Sequence, residues 1–225
     1  MDVPAEQGGV GTSPVPLTPM WPVIGSLPGV DREAEFAFEP LWNGARVLVH
    51  LPGDGTLLLR GGTCGVDVTG LYPELEHLPE LLPDGLEAVL DGEVVAPDPD
   101  TARPTSVARI QERMSLRHPG AIAHALAELP IQLVLYDVLY LGNEPTLLQP
   151  YTARRALLDD LDITGPHVLV PPYWPAMARE AYDHNLQEGF DGVVAKRLTS
   201  VYKPGRRSTE WIRVKHLAPT WSPGT

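Results

Sequence analysis

A single cysteine, Cys64, stands in 225 residues, so no internal disulfide can form and no cysteine-based zinc site can assemble. The 7 histidines are scattered without metal-ligand spacing. No apolar run approaches the roughly 18 residues that a membrane-spanning helix needs. Nor does the N-terminus join a basic segment to an apolar run and a cleavage site. Positive charge is also short: 17 Lys and Arg face 29 Asp and Glu, giving a net charge of -12 and a pI near 4.9. Such a balance works against holding a phosphate backbone over many contacts. These absences point to a cytoplasmic globular protein with no membrane partner.

What is present is enough for a core, since 43% of the residues are hydrophobic. With 21 Gly and 25 Pro, turns should be frequent and long helices scarce. Residues 1–22 are rich in Pro, Gly, Ser and Thr and read as a flexible N-terminal arm, and 217–225 as a tail of the same kind. The folded domain is expected over 23–216. Within it, β-branched and aliphatic runs predict strands at Ala45–Leu51, Thr56–Arg60, Leu86–Ala96, Ile131–Leu141, Asp191–Arg197 and Trp211–Lys215. Apolar residues at three- and four-residue spacing predict helices at Ser106–Met114, Gly120–Leu129, Thr152–Leu161 and Pro175–Gln187. In the third helix, Ala156, Leu157, Leu158 and Leu161 are assigned to the buried face and Arg154, Arg155, Asp159 and Asp160 to the other. Strands and helices do not alternate regularly, so an α+β fold with a mixed or antiparallel sheet is expected.

Three patches place ionisable side chains beside a glycine, where backbone can approach a ligand closely. They are Glu39-Pro40-Leu41-Trp42-Asn43-Gly44-Ala45-Arg46, Leu90-Asp91-Gly92-Glu93 and Asp191-Gly192-Val193-Val194-Ala195-Lys196. Trp211-Ile212-Arg213-Val214-Lys215 follows them. In this order and spacing the four resemble the motif series of covalent nucleotidyltransferases, above all the ATP-dependent DNA ligases. The bacterial ligase-C and ligase-D type is similar in further phrases, among them Tyr136-Asp137-Val138-Leu139, Pro150-Tyr151-Thr152-Ala153-Arg154-Arg155 and Tyr202-Lys203-Pro204-Gly205-Arg206-Arg207-Ser208.

The resemblance implies the nucleotidyltransferase (ATP-grasp-like) adenylation domain, with antiparallel sheets flanked by helices around a nucleotide cleft. In that family the first motif is KxDGxR, and its lysine attacks the α-phosphate of ATP. Here Leu41 stands at the lysine position and Asn43 at the aspartate position, while Gly44 and Arg46 are kept. Leucine offers no nucleophilic atom, so no catalytic residue is assigned. By the same resemblance, Glu39 would meet the adenine amine, Arg46 and Arg60 the ribose, and Glu93 the ribose hydroxyls or a metal. Tyr136 would stack on the purine, and Lys196, Arg213 and Lys215 would meet the phosphates. ATP or AMP with Mg2+ would be the cofactors, Glu93 and Asp191 the metal carboxylates, and nicked DNA or an active ligase or repair protein the partner.

Structural roles stand beside these. Tyr136 can belong to the core, Lys196 and Lys215 can be solubilising edge charges, and Arg46 can pair with Glu93 or Glu39. Family ligases continue into an OB-fold domain after the last of these motifs, and no such domain is expected in this sequence. Three functions follow: a nucleotide- or nick-binding pseudo-ligase, a ligase restricted to pre-adenylated nicks, or a protein-interaction module with a vestigial cleft. Convergence of Glu39, Arg46, Glu93, Lys196 and Lys215 on an open cleft would favour binding, and mutual pairing would favour the third.

Overall fold

A computed structural model of the chain describes residues 17–62, 64–101 and 103–216. Residues 1–16 of the expected arm and the expected tail at 217–225 lie outside the described residues. The strands, in chain order, are β1 (Trp21–Ile24), β2 (Phe36–Pro40), β3 (Ala45–Leu51), β4 (Leu58–Gly61), β5 (Val66–Asp67), β6 (Ala88–Val95), β7 (Gln132–Leu141), β8 (Glu144–Pro145), β9 (Val168–Leu169), β10 (Trp174–Pro175), β11 (Gly192–Arg197) and β12 (Arg207–Lys215). The α-helices among the described residues are α1 (Val107–Ser115), α2 (Pro119–Glu128), α3 (Tyr151–Asp160) and α4 (Ala178–Gln187).

One sheet runs β5-β4-β3-β6-β7-β8 with β9 beside β7, and the other runs β1-β12-β11-β2-β10. Pairing is antiparallel throughout except for β1 with β12 and β9 with β7, which agrees with the α+β expectation. Between β3 and β4 the chain turns through Gly53 and Gly55, whose φ of 81° and 82° suit glycine. The Asp54 carboxylate pins that turn by accepting from the Thr56 amide at 2.9 Å.

Alternation along the strands sorts the side chains into three apolar layers. Val47, Val49, Leu90, Leu133 and Leu135 pack the larger sheet onto Ile110 of α1 and Leu158 of α3. Phe36, Phe38, Val193 and Ala195 pack the smaller sheet onto Ala178 and Ala181 of α4. Leu48, Val89 and Leu139 of the larger sheet meet Trp211 of the smaller, with Met20 and Tyr202 completing the cluster between them.

Two expectations need correction. The arm drawn to Pro22 includes docked residues, because Met20 is fully buried and Trp21 and Pro22 pair with Arg207 and Ser208. On α3 the buried face is Tyr151, Arg154, Arg155 and Leu158, while Ala156 is exposed. The two arginines are turned inward because buried acceptors await them. Arg154 meets the Asp137 carboxylate at 2.7 and 2.9 Å and the Ser200 carbonyl at 2.9 Å. Arg155 donates to the Pro171 carbonyl at 2.6 Å. Among the described residues no helix is long and apolar enough to cross a membrane.

Candidate functional site

A cavity of about 330 Å³ opens between the sheets, lined by residues of both. The smaller sheet contributes Trp21, Pro22, Glu39, Pro40, Val194, Lys196, Trp211 and Arg213, and the larger contributes Arg46, Glu93 and Tyr136. Leu41, Trp42, Asn43 and Gly44, the turn from β2 to β3, close one side. The pairs Val194 with Lys196 and Trp211 with Arg213 are each two apart on a strand, so both members face the same side. Arg46 and Glu93 lie directly opposite each other across β3 and β6.

The deepest charges are paired. The Lys196 ammonium reaches both Glu39 carboxylate oxygens, at 2.7 and 2.9 Å, and both residues are about 2% exposed. The Tyr151 hydroxyl donates to the same carboxylate. Three rings surround the ammonium, with centroids at 4.5 Å for Tyr136, 4.5 Å for Trp211 and 5.2 Å for Tyr151. Burial pushes the Lys196 ammonium down from its ordinary pKa, while Glu39 and Asp137 act to hold its proton.

Arg46 is tied down in the same way. It makes a two-pronged pair with Asp91, at 2.6 and 2.5 Å, and donates to the Met20 carbonyl at 3.2 Å. Its guanidinium lies 4.8 Å from the Tyr136 ring centre and 5.5 Å from that of Trp21. Burial opposes this charge, yet the Asp91 carboxylate holds the Arg46 pKa well above its ordinary value. Tyr202 completes the group by donating to Asp91 at 2.5 Å and accepting the Met20 amide at 2.9 Å.

Glu93 has no such cation. It accepts the Gly44 amide at 2.5 Å, and burial pushes its carboxyl up to about 7 against that hydrogen bond. Gly44 is required there, since a Cβ would sit 2.2 Å from the Val94 carbonyl oxygen. Arg213 donates to the Asn43 side-chain carbonyl at 2.6 Å, and the Asn43 amide in turn donates to Asp191. Among the described residues, buried donors without a partner occur on three that line the cavity: Nε1 of Trp42, Nε1 of Trp211 and Nε of Arg213. Donors of this kind call for an acceptor.

The structure therefore gathers Glu39, Arg46, Glu93, Tyr136, Lys196 and Arg213 around one cavity with Leu41 and Asn43. Others are placed outside its lining. Arg60 donates to the Gly65 carbonyl at 3.2 Å beside β5, and Lys215 is exposed at the end of β12. Asp191 touches Asn43 and, at 3.7 Å, Arg103. Among the described residues no group of three or more His, Cys, Asp or Glu is arranged to hold a metal ion. The Tyr136 ring, expected against a purine, is flanked by Lys196 and Arg46. The sequence motifs include Asp91, Tyr151, Tyr202 and Trp211 but leave them without a role, and Trp21 falls in the expected arm. The two-residue spacing of Trp211 and Arg213 was the available signal for one of them.

Comparison with known proteins accounts for this layout. The family model described as the ATP dependent DNA ligase domain matches residues 29–215. A DNA ligase of Thermococcus onnurineus is 32% identical over 190 residues, covering 83% of this chain and 33% of that protein. The multifunctional non-homologous end joining DNA repair protein LigD of Mycobacterium tuberculosis is 34% identical over 200 residues, covering 89% of this chain and 24% of that protein. A solved mycobacterial DNA ligase D, complexed with ATP and MES, superposes with a TM-score of 0.72 at 33% identity, over 89% of this chain and 60% of that one. The chain thus spans a third or less of the length of these two relatives. With the family model matching nearly the whole described region and 89% of the chain matched by a solved ligase at 33% identity, the chain belongs to the ATP-dependent DNA ligase family as an adenylation domain.

Proposed function

We propose that this domain is a pseudo-ligase that holds an adenine nucleotide, or an end at a DNA nick, without forming a lysyl-adenylate, and that it assists an active ligase or another repair protein. Leu41 carries this reading. The side chain is 4% exposed and lines the cavity; by the resemblance it stands where the family's first motif has its nucleophile, and a hydrocarbon cannot attack phosphorus. Among the described residues Lys196 is the lysine that lines the cavity, and as an ammonium held by both Glu39 oxygens it has no lone pair to offer. The adenosine part of a nucleotide suits what remains: indole and phenol walls for a flat base, and buried donors for its acceptors. Mg2+ enters this reading only as a companion of ATP, with Glu93 as a carboxylate facing the cavity.

Incubation with α-labelled ATP and Mg2+, followed by acid precipitation, tests the absence of covalent chemistry. No label on the protein is expected. Acid-stable label would overturn the reading and turn attention to Lys196, and sealing of a pre-adenylated nick would overturn it from the other side. The mutual pairing of Glu39 with Lys196 and Arg46 with Asp91 favours a second reading, a protein-binding module with a vestigial cleft. Failure of every adenine ligand and of nicked DNA to bind would select it.

A further inference from the structure

We infer that the cleft selects its ligand by charge, taking adenosine or adenosine monophosphate and turning away ATP with or without Mg2+. This rests on the nucleotide-binding reading above and adds to it the number of phosphates. A triphosphate carries at least one negative charge on each phosphate and is normally held by several unspent cations and a bridging Mg2+. Here the cations lining the cavity are Arg46, Lys196 and Arg213. The first is neutralised by Asp91 through two hydrogen bonds, and the second by Glu39 through two more. Freeing either would strand a carboxylate that is 0% or 2% exposed, a large cost for a buried charge.

Arg213 differs. Among the described residues its partner is a neutral amide, the Asn43 side chain at 2.6 Å, and its Nε is buried with no partner at all. One guanidinium with an unmet donor suits one phosphate. The rest of the lining adds no cation for a polyanion: Pro22, Pro40, Leu41, Val107 and Val194 are apolar, and Glu39 and Glu93 are acids. Size agrees, because about 330 Å³ lies at the small end of the roughly 300–1,000 Å³ range of small-molecule sites. The partnerless indole donors of Trp42 and Trp211 favour a ligand rich in acceptors, as purine and ribose are.

Titration calorimetry of the full chain with adenosine, AMP, ADP and ATP, each with and without Mg2+, reads the preference directly. AMP is expected to bind at least about tenfold more tightly than ATP under both conditions. Arg213→Gln should weaken AMP about tenfold and leave adenosine within about twofold. Circular dichroism confirms folding, and Arg213→Lys, which keeps the charge but not the planar fork, replaces Gln if that variant is unfolded. ATP binding as tightly as AMP, or an Arg213 variant that weakens adenosine as much as AMP, overturns the inference and leaves the nucleotide-binding reading standing. Absence of binding by all four ligands overturns both.

Discussion

Replacing Lys196 by methionine tests how far the buried pair between β2 and β11 stabilises the fold. Methionine keeps most of the volume and removes the charge. Among the described residues, the Glu39 carboxylate, 2% exposed, would then retain only the Tyr151 hydroxyl as a side-chain partner. Breaking a buried pair by removing one member costs about 3–5 kcal/mol, because the other charge is left without compensation. Loss of the ammonium from the Tyr136 and Trp211 rings, each 4.5 Å away, adds to this by about 0.5–1 kcal/mol per ring. Glu39→Gln combined with Lys196→Met removes both charges and leaves the Tyr151 hydroxyl an amide oxygen to bond. The double variant should cost only about 1–2 kcal/mol, so the two sites should couple by at least about 2 kcal/mol once the cost of Glu39→Gln alone is included. Urea unfolding at neutral pH measures this. With a slope of about 2 kcal/mol per molar, Lys196→Met should lower the midpoint by about 2 M and the double variant by less than about 1 M. A Lys196→Met midpoint within about 0.5 M of the parent, or a double variant as unstable as the single one, would refute the reasoning.

Three further outcomes are expected. Glu93 is raised from 4.5 to about 7, so the folded state binds its proton more tightly than the unfolded chain does. The stability this contributes is fully present below about pH 4.5 and lost as pH rises through about 7, a fall of at most about 3 kcal/mol. Glu93→Gln should flatten that slope in urea titrations run across the window. Arg154→Met leaves Asp137, 0% exposed, without its cation; the cost should be about 3–5 kcal/mol, seen as a melting temperature lower by roughly 10 °C. Gly44→Ala forces the turn away from the Val94 carbonyl, 2.2 Å from the added Cβ, and should cost about 1–3 kcal/mol while weakening the Glu93 hydrogen bond, so that Glu93 titrates at higher pH by NMR.

Strong periodic segments were legible from the residues alone. Strand β3 coincides with the expected Ala45–Leu51, and the four helices fall within a few residues of expectation. Strand β2 was not foreseen. Its Phe36-Ala37-Phe38-Glu39-Pro40 carries a carboxylate and ends in proline, which reads locally as a loop. It is nevertheless fully buried in the smaller sheet between β11 and β10, because Lys196 on the neighbouring strand supplies the counter-charge. The same limit explains α3, where the rule that charges face solvent fails at Arg154 and Arg155. Their partners, Asp137 and the Ser200 and Pro171 carbonyls, are remote in sequence. Most of the residues expected around the cleft do line it, yet their pairings were not readable. Arg46 pairs with Asp91, two residues along β6 from the directly opposite Glu93, and not with Glu93 or Glu39.

The order of strands in the smaller sheet also fixes when it can form. Among the described residues, strand β2 pairs only with β10 and β11, and β1 only with β12, so these two strands wait for partners more than a hundred residues downstream. The larger sheet is drawn mainly from the continuous stretch between β3 and β8 and can assemble while that wait lasts. Closing the long loop is entropically slow, and a chain emerging from the ribosome would present Phe36 and Phe38 unpaired until β10 and β11 appear. The cleft, which needs both sheets, is therefore the last part of the molecule to come into being.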